Sequence, residues 1–234
     1  MNEQLRILSA GAPKTGVARC AEIFSERNNV TVDVSFATAP VLREKVSDGS
    51  TNADIIVAPQ SAFETFAPDG RIVTGSGGPL GGVRAAVVIK QGSKTPDISS
   101  ESSLKSSIME ANSLVFNVAS SGQYIEQMIE DLGIAESTAH KTIRTPTGAG
   151  VMEHLSASNT EFEIGFGQQT EIQVQIDKGL PVTLVGTLPG NLEKITNYSV
   201  GVLSESLNPE LAGSLVDFMV SPEGKKIFEQ TGVN

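Results

Sequence analysis

The chain has 234 residues, 39% of them hydrophobic, enough to bury a full core as one large domain or as two lobes of about 100 residues each. A net charge of −10, with no basic run longer than Lys225-Lys226, argues against nucleic acid as a partner, because phosphate binding needs a basic face. The single cysteine rules out an internal disulfide, and no stretch approaches the roughly 20 apolar residues of a membrane span.

In chain order, LRILSA (5–10) reads as a buried strand, Gly11-Ala12-Pro13-Lys14 as a turn, and 15–27 as a helix. Cys20 falls on the apolar stripe of that helix with Val17, Ala21 and Phe24, as a small buried hydrophobe does. VTVDVSF (30–36) alternates as a strand, a short helix runs to Val46, and ADIIVAP (53–59) is a further strand. Strands and helices thus alternate over the first 60 residues, which predicts a parallel sheet with helices on its faces. The glycine-rich TGSGGPLGG (74–82) has neither the Lys-Ser/Thr ending of a phosphate loop nor a G-x-G-x-x-G opening a helix, and reads as a connection.

VRAAVVIK (83–90) is a long apolar strand. A helix over 101–111, a strand over 113–118, a helix over 121–132, a strand over 141–145 and a helix over 148–157 repeat the alternation. A strand over 162–166, a helix over 169–178, a strand over 181–186 and a strand over 198–204 complete it, and two closing helices break at Ser221-Pro222. In SSGQYIEQMIEDLGI (120–134), Ser120 and Gln123 fit a capping box and Gly133 fits the helix stop.

Ligands of open α/β sheets sit beyond the strand carboxyl ends, at helix N-termini. Four strand-to-helix turns qualify: Ala10–Lys14, Ala37–Ala39, Ala119–Gly122 and Thr145–Ala149. All are small or hydroxylated and none contains an acid, which suits an anion held by N–H and O–H groups. Signals for catalysis are thin. Neither Ser120 nor Ser121 sits in a G-x-S-x-G elbow, and His140 and His154 lack the spacing of metal ligands, so neither a metal nor another cofactor is expected.

In order along the chain, LRILSAGAPKTG, VTVDVSFATAPVLREKVSDGSTNADIIVAP, SSGQYIEQMIEDLGI, EFEIGFGQQTEI, YSVGVLSES and SPEGKKIFEQTGV resemble the molybdate-binding, ModA-like branch of the type II periplasmic binding proteins. The resemblance spans essentially the whole chain and implies a two-lobed α/β fold, with mostly parallel sheets flanked by helices and a ligand cleft between the lobes. It implies lobe one as 1–82 plus 199–234, lobe two as 83–198, and hinge strands near 83–90 and 198–204. The family holds a tetrahedral oxyanion with two serine hydroxyls, backbone N–H groups and often a tyrosine.

Carried over by position, the first serine is replaced near Ala12-Pro13, with Gly11 before it and Lys14 after it. The second falls at Thr38 or Ala39, Ser121-Gly122 matches the third contact with Ser120 beside it, and the tyrosine falls on Gln168. Thr147 lies in the fourth turn, and Arg84 opens the strand leading into lobe two. A neutral cage suits molybdate, whereas a site that adds Lys14 and Arg84 suits a carboxylate.

The resemblance implies a monomeric solute-binding protein that captures a small anion for the permease of an ABC importer. The alternative is an isomerase of a di- or tricarboxylic acid, similar to aconitate isomerase, with Lys14 and His154 as its catalytic candidates. MNEQLRIL has neither a basic region nor an apolar core of a signal peptide. An extracytoplasmic location is expected if a signal preceded Met1, and a cytoplasmic one if Met1 is the native start.

Overall fold

The computed structural model describes residues 4–234. Its packing divides the chain into two compact units, one running up to Val83 and resuming at Thr196–Asn234, the other Arg84–Ile195.

The first unit is built on strands β1 (Gln4–Ala10), β2 (Thr31–Ala37) and β3 (Ile55–Pro59), with helices α1 (Lys14–Asn28), α2 (Ala39–Ser47) and α3 (Gln60–Phe66) following them in turn. Its sheet runs β2-β1-β3 in parallel, and β9 (Ile195–Val202) joins β3 antiparallel. Helix α1 buries Val17, Cys20, Ala21 and Phe24, the spacing of one helical face, and ends at Asn29 in the left-handed conformation with φ 54°. The closing helices α9 (Pro209–Val220) and α10 (Pro222–Gln230) complete one core with the sheet. Gly16 is required where α1 meets α10, since a Cβ there would collide with the Phe228 ring. No helix had been expected after β3; α3 forms there because Ala62 and Phe66, four apart, bury together.

The glycine run is only partly a connection. Strand β4 (Gly78–Lys90) already includes its last five residues. At Gly77, φ is 111° and a Cβ would overlap the Val200 carbonyl, while Gly82 exchanges both backbone bonds with Asn234, at 2.6 and 2.9 Å. These glycines let backbones approach one another.

Strand β4 carries the chain into the second unit and β9 carries it back. Between them lie α4 (Glu101–Glu110), β5 (Ser113–Asn117), α5 (Ser120–Asp131), α6 (Ala135–Ala139), β6 (Thr142–Thr145), α7 (Gly148–Ala157), β7 (Glu163–Gln168), α8 (Gln169–Asp177) and β8 (Val182–Thr187). Strands β6, β5 and β7 are parallel, and β4 pairs antiparallel with both β7 and β8. This sheet is buried on both faces. Ala85, Val87, Leu114, Phe116 and Ile164 enter the core beneath α4 and α5, while Ala86, Val88 and Val115 enter that beneath α7 and α8. The short α6 was also not expected; its only buried residue, Thr138, donates back to the Ile134 carbonyl at 2.9 Å.

Candidate functional site

In the first unit the parallel strands end side by side, with Ala10 paired to Ala37. Gly11, Ala12 and Lys14 follow β1, and Thr38 and Ala39 follow β2, so these five expected residues share one sheet edge. The antiparallel β9 brings Tyr198 opposite Pro59 at the same edge, and the Ser199 hydroxyl donates to the Gln60 side chain there. Lys14 is the first residue of α1 rather than part of the preceding turn. Neither α1 nor α2 has a side-chain cap or an acid in its first turn. The first intrahelical bonds, Val17 N to Pro13 O at 3.0 Å and Leu42 N to Thr38 O at 2.9 Å, leave the N–H groups of Thr15, Gly16, Ala39 and Val41 beyond the helical ladder.

In the second unit Asn117 pairs with Thr145 at the ends of β5 and β6, and Gln168, which ends β7, pairs with Ala85 of β4. Ser120, Ser121, Gly122, Thr147, Gln168 and Arg84 therefore lie at one edge, but several are already engaged. The expected capping box of Ser120 and Gln123 is not formed. Ala119 is the N-cap of α5, and Asn117 Oδ1 accepts from the N–H groups of Ala119 at 2.8 Å and Gly122 at 3.3 Å. Gly122 is buried and packed onto the Asn117 carbonyl, so its N–H serves the strand end instead of an open anion position. Ser121 Oγ accepts from Asn117 Nδ2 at 2.9 Å, while the N–H groups of Ser120 and Ser121 precede the first intrahelical bond. The Thr147 hydroxyl accepts from Gly150 N at 3.1 Å as the cap of α7. Arg84 Nε donates to Glu193 at 2.8 Å, a half-exposed ion pair. Gln168 is 4% exposed.

His154 stands apart. Its Nε2 lies 3.2 Å from Glu163, the first residue of β7, whose side chain is 3% exposed. Gln168 lies five residues further along that strand, roughly 16 Å away at about 3.3 Å per residue. His154 therefore belongs to the opposite edge of the sheet, and its expected catalytic role is corrected on that ground. The geometry depends on strand direction, which spacing along the chain does not reveal.

Asn117 was missed by the sequence reading. Its signal was a polar residue closing an apolar strand three positions before Ser-Ser-Gly. Glu171 was missed too. The four turns contain no acid, yet α8 places the Glu171 carboxylate against Gly148, where a Cβ would overlap it.

The helices differ in one respect. Among the described residues, six of the ten α-helices follow directly from parallel strands: α1, α2, α3, α5, α7 and α8. Five of them have no acid in the first turn, and α8, with Glu171, is the exception. The other four, α4, α6, α9 and α10, all carry one: Glu101, Glu136, Glu210 and Glu223. The negative charge that normally complements a helix N-terminus is withheld at α1, α2, α3 and α5, whereas Glu171 stands in the first turn of α8 and against the start of α7. Among the described residues, no group of three or more His, Cys, Asp or Glu could hold a metal ion. Nor is any helix long and apolar enough to cross a membrane.

This chain belongs to the bacterial extracellular solute-binding proteins, whose family profile matches residues 5–234. Among its relatives, an aconitate isomerase from a Pseudomonas species is 25% identical over 239 residues, covering 98% of this chain and 87% of that protein. The Azotobacter vinelandii periplasmic molybdate-binding protein matches with a TM-score of 0.77 at 13% identity, over 98% of each chain. A tungstate ABC transporter structure from Geobacter sulfurreducens matches with a TM-score of 0.75 at 13% identity, over 97% of this chain and 98% of that one. These two structures share the fold with this chain.

Proposed function

We propose that this protein captures a small anion, a carboxylate or a tetrahedral oxyanion such as molybdate, outside the cytoplasm and hands it to the permease of an ABC importer. The observation that carries this reading is the missing acid in the first turns of α1, α2 and α5, where positive helix ends and N–H groups beyond the helical ladder favour an anion. Lys14 on α1 adds a fixed positive charge to one such edge. Thr38, Ser120 and Ser121 add hydroxyl groups beside their helix starts. Thermal unfolding with citrate, trans-aconitate, sulfate and molybdate tests the reading. An anion at a hundred times its Kd should stabilise the fold by about 2.7 kcal/mol, and indifference to every anion would refute it.

The 25% identity to an aconitate isomerase across nearly the whole chain favours one further reading, an isomerase of an unsaturated tricarboxylic acid. In that reaction a base removes a proton from the methylene carbon, the double bond shifts, and the proton returns at the former alkene carbon, so protons balance. Lys14 is the retained candidate for holding a substrate carboxylate; His154 is not. Incubation with trans-aconitate, followed by proton NMR, decides this reading: no formation of the cis isomer rules it out.

A further inference from the structure

The glycine run borders a pocket of about 480 Å³ that lies wholly within the first unit. Small-molecule sites span about 300–1,000 Å³, so the volume suits one. None of the candidate anion residues lines this pocket. Phe63, Ile72 and Val73 form its apolar walls, and Gln60, Thr74 and Gly75 supply polar groups. No lining residue is charged, although 19% of the chain is. Arg71, next to Ile72, is engaged by the Ser47 carbonyl and by Glu205.

The walls are held in place by their own contacts. Phe63 meets Phe66 edge-on, with ring centroids 6.2 Å apart. Phe63 and Ile72 both close on Gly201, whose Cβ would lie 3.0 and 3.1 Å from them. Val73 is pinned through its backbone. Its N–H donates to the Val202 carbonyl at 3.0 Å, and its carbonyl accepts from Ser76 N at 3.0 Å and Ser76 Oγ at 2.7 Å. Its side chain nonetheless stays 38% exposed. An apolar wall fixed in this way costs little further ordering when a ligand arrives.

The polar groups are mostly donors. The bond from Ser76 N to Val73 O closes a turn with Gly75 at φ 79°, and the N–H groups of Thr74 and Gly75 take no part in it. The Ser199 hydroxyl donates to Gln60 Oε1, which leaves the Gln60 amide N–H groups to donate in their turn.

We propose that this pocket binds a small neutral carbonyl compound: a ketone, ester or amide that carries a ring or a short chain. The ring packs against Phe63, Ile72 and Val73, and the carbonyl oxygen accepts from the Gln60 amide or the turn N–H groups. A carboxylate would lose its hydration against these walls with no cation to compensate, so the pocket takes a different chemical class from the anion edge.

The test is two-dimensional amide NMR of the labelled whole chain, titrated with acetophenone, methyl benzoate and benzoate. The two neutral compounds should shift the Thr74 and Gly75 N–H resonances and the Gln60 side-chain amide, saturating below about 10 mM. Benzoate should leave those resonances in place. Val73→Glu and Ala67→Lys put charges of opposite sign at two exposed lining positions. Each should weaken both neutral compounds by about fivefold or more, with thermal stability nearly unchanged. If neither neutral compound moves these resonances, the proposal is overturned. It is equally overturned if benzoate moves them at the same or lower concentration, or if both variants bind the neutral compounds as the native protein does.

Discussion

The side-chain oxygen of Asn117 accepts the backbone N–H of Gly122, and the Asn117 carbonyl lies where a Cβ of Gly122 would be. The end of β5 and the first turn of α5 are therefore pressed together, leaving room for a glycine alone. The nearest atoms to a methyl group at Gly148 belong to the flexible end of Glu171. Gly122→Ala should therefore destabilise the protein by about 1–3 kcal/mol, toward the upper limit because backbone must move, while Gly148→Ala should cost little. Urea denaturation of both variants checks this contrast, and equal losses would contradict it.

Lys14 opens α1, at an edge where the N–H groups of Thr15 and Gly16 lie beyond the helical ladder. Replacing Lys14 with Met keeps the stem and removes the charge. Anion affinity should fall by about tenfold or more and become less sensitive to salt, with stability nearly unchanged. Titration at two ionic strengths measures both quantities.

His154 is the partner of the buried Glu163 carboxylate. His154→Ala removes that partner and should cost about 1–3 kcal/mol, more than a substitution at an ordinary half-exposed position. Anion affinity should not change, because the pair lies at the other edge of the sheet. Loss of ligand binding in a folded His154→Gln variant would show that the residue belongs to the site after all.

Burial pushes the Cys20 thiol from 9.0 up to about 12, with the nearby Glu223 charge adding to the effect. The native protein should resist iodoacetamide until it unfolds. In the unfolded chain the thiol ionises first, so its contribution to stability is complete below pH 9.0 and is lost between there and about pH 12. Cys20→Ala should remove this part of the alkaline loss, as denaturation curves at rising pH would show.

Much of the element order was legible because strand and helix periods differ sharply here. Buried β1, the Val17–Phe24 stripe of α1 and the Pro222 opening of α10 can each be read locally. The glycine run could not be read so, because Gly77 and Gly82 are explained by Val200 and Asn234, more than a hundred residues away. The candidate residues were legible to the level of strand ends. Lys14, Thr38 and Ser121 do sit at such ends, but the commitments of Gly122 to Asn117 and of Thr147 to Gly150 depend on cap geometry. Nothing local in the sequence marks Glu171; its contact with Gly148 arises only when α7 and α8 pack on one sheet.

Strand β4 alternates between two separate cores, with Ala85 and Val87 in one and Ala86 and Val88 in the other. Sequence neighbours there are consequently strangers in energy, while residues two apart share partners. Paired substitutions at Val87 and Val88 should combine close to additively. Pairs at Ala85 and Val87 should show epistasis of about 0.5 kcal/mol or more. Along this strand, tolerance to change is inherited at every second residue.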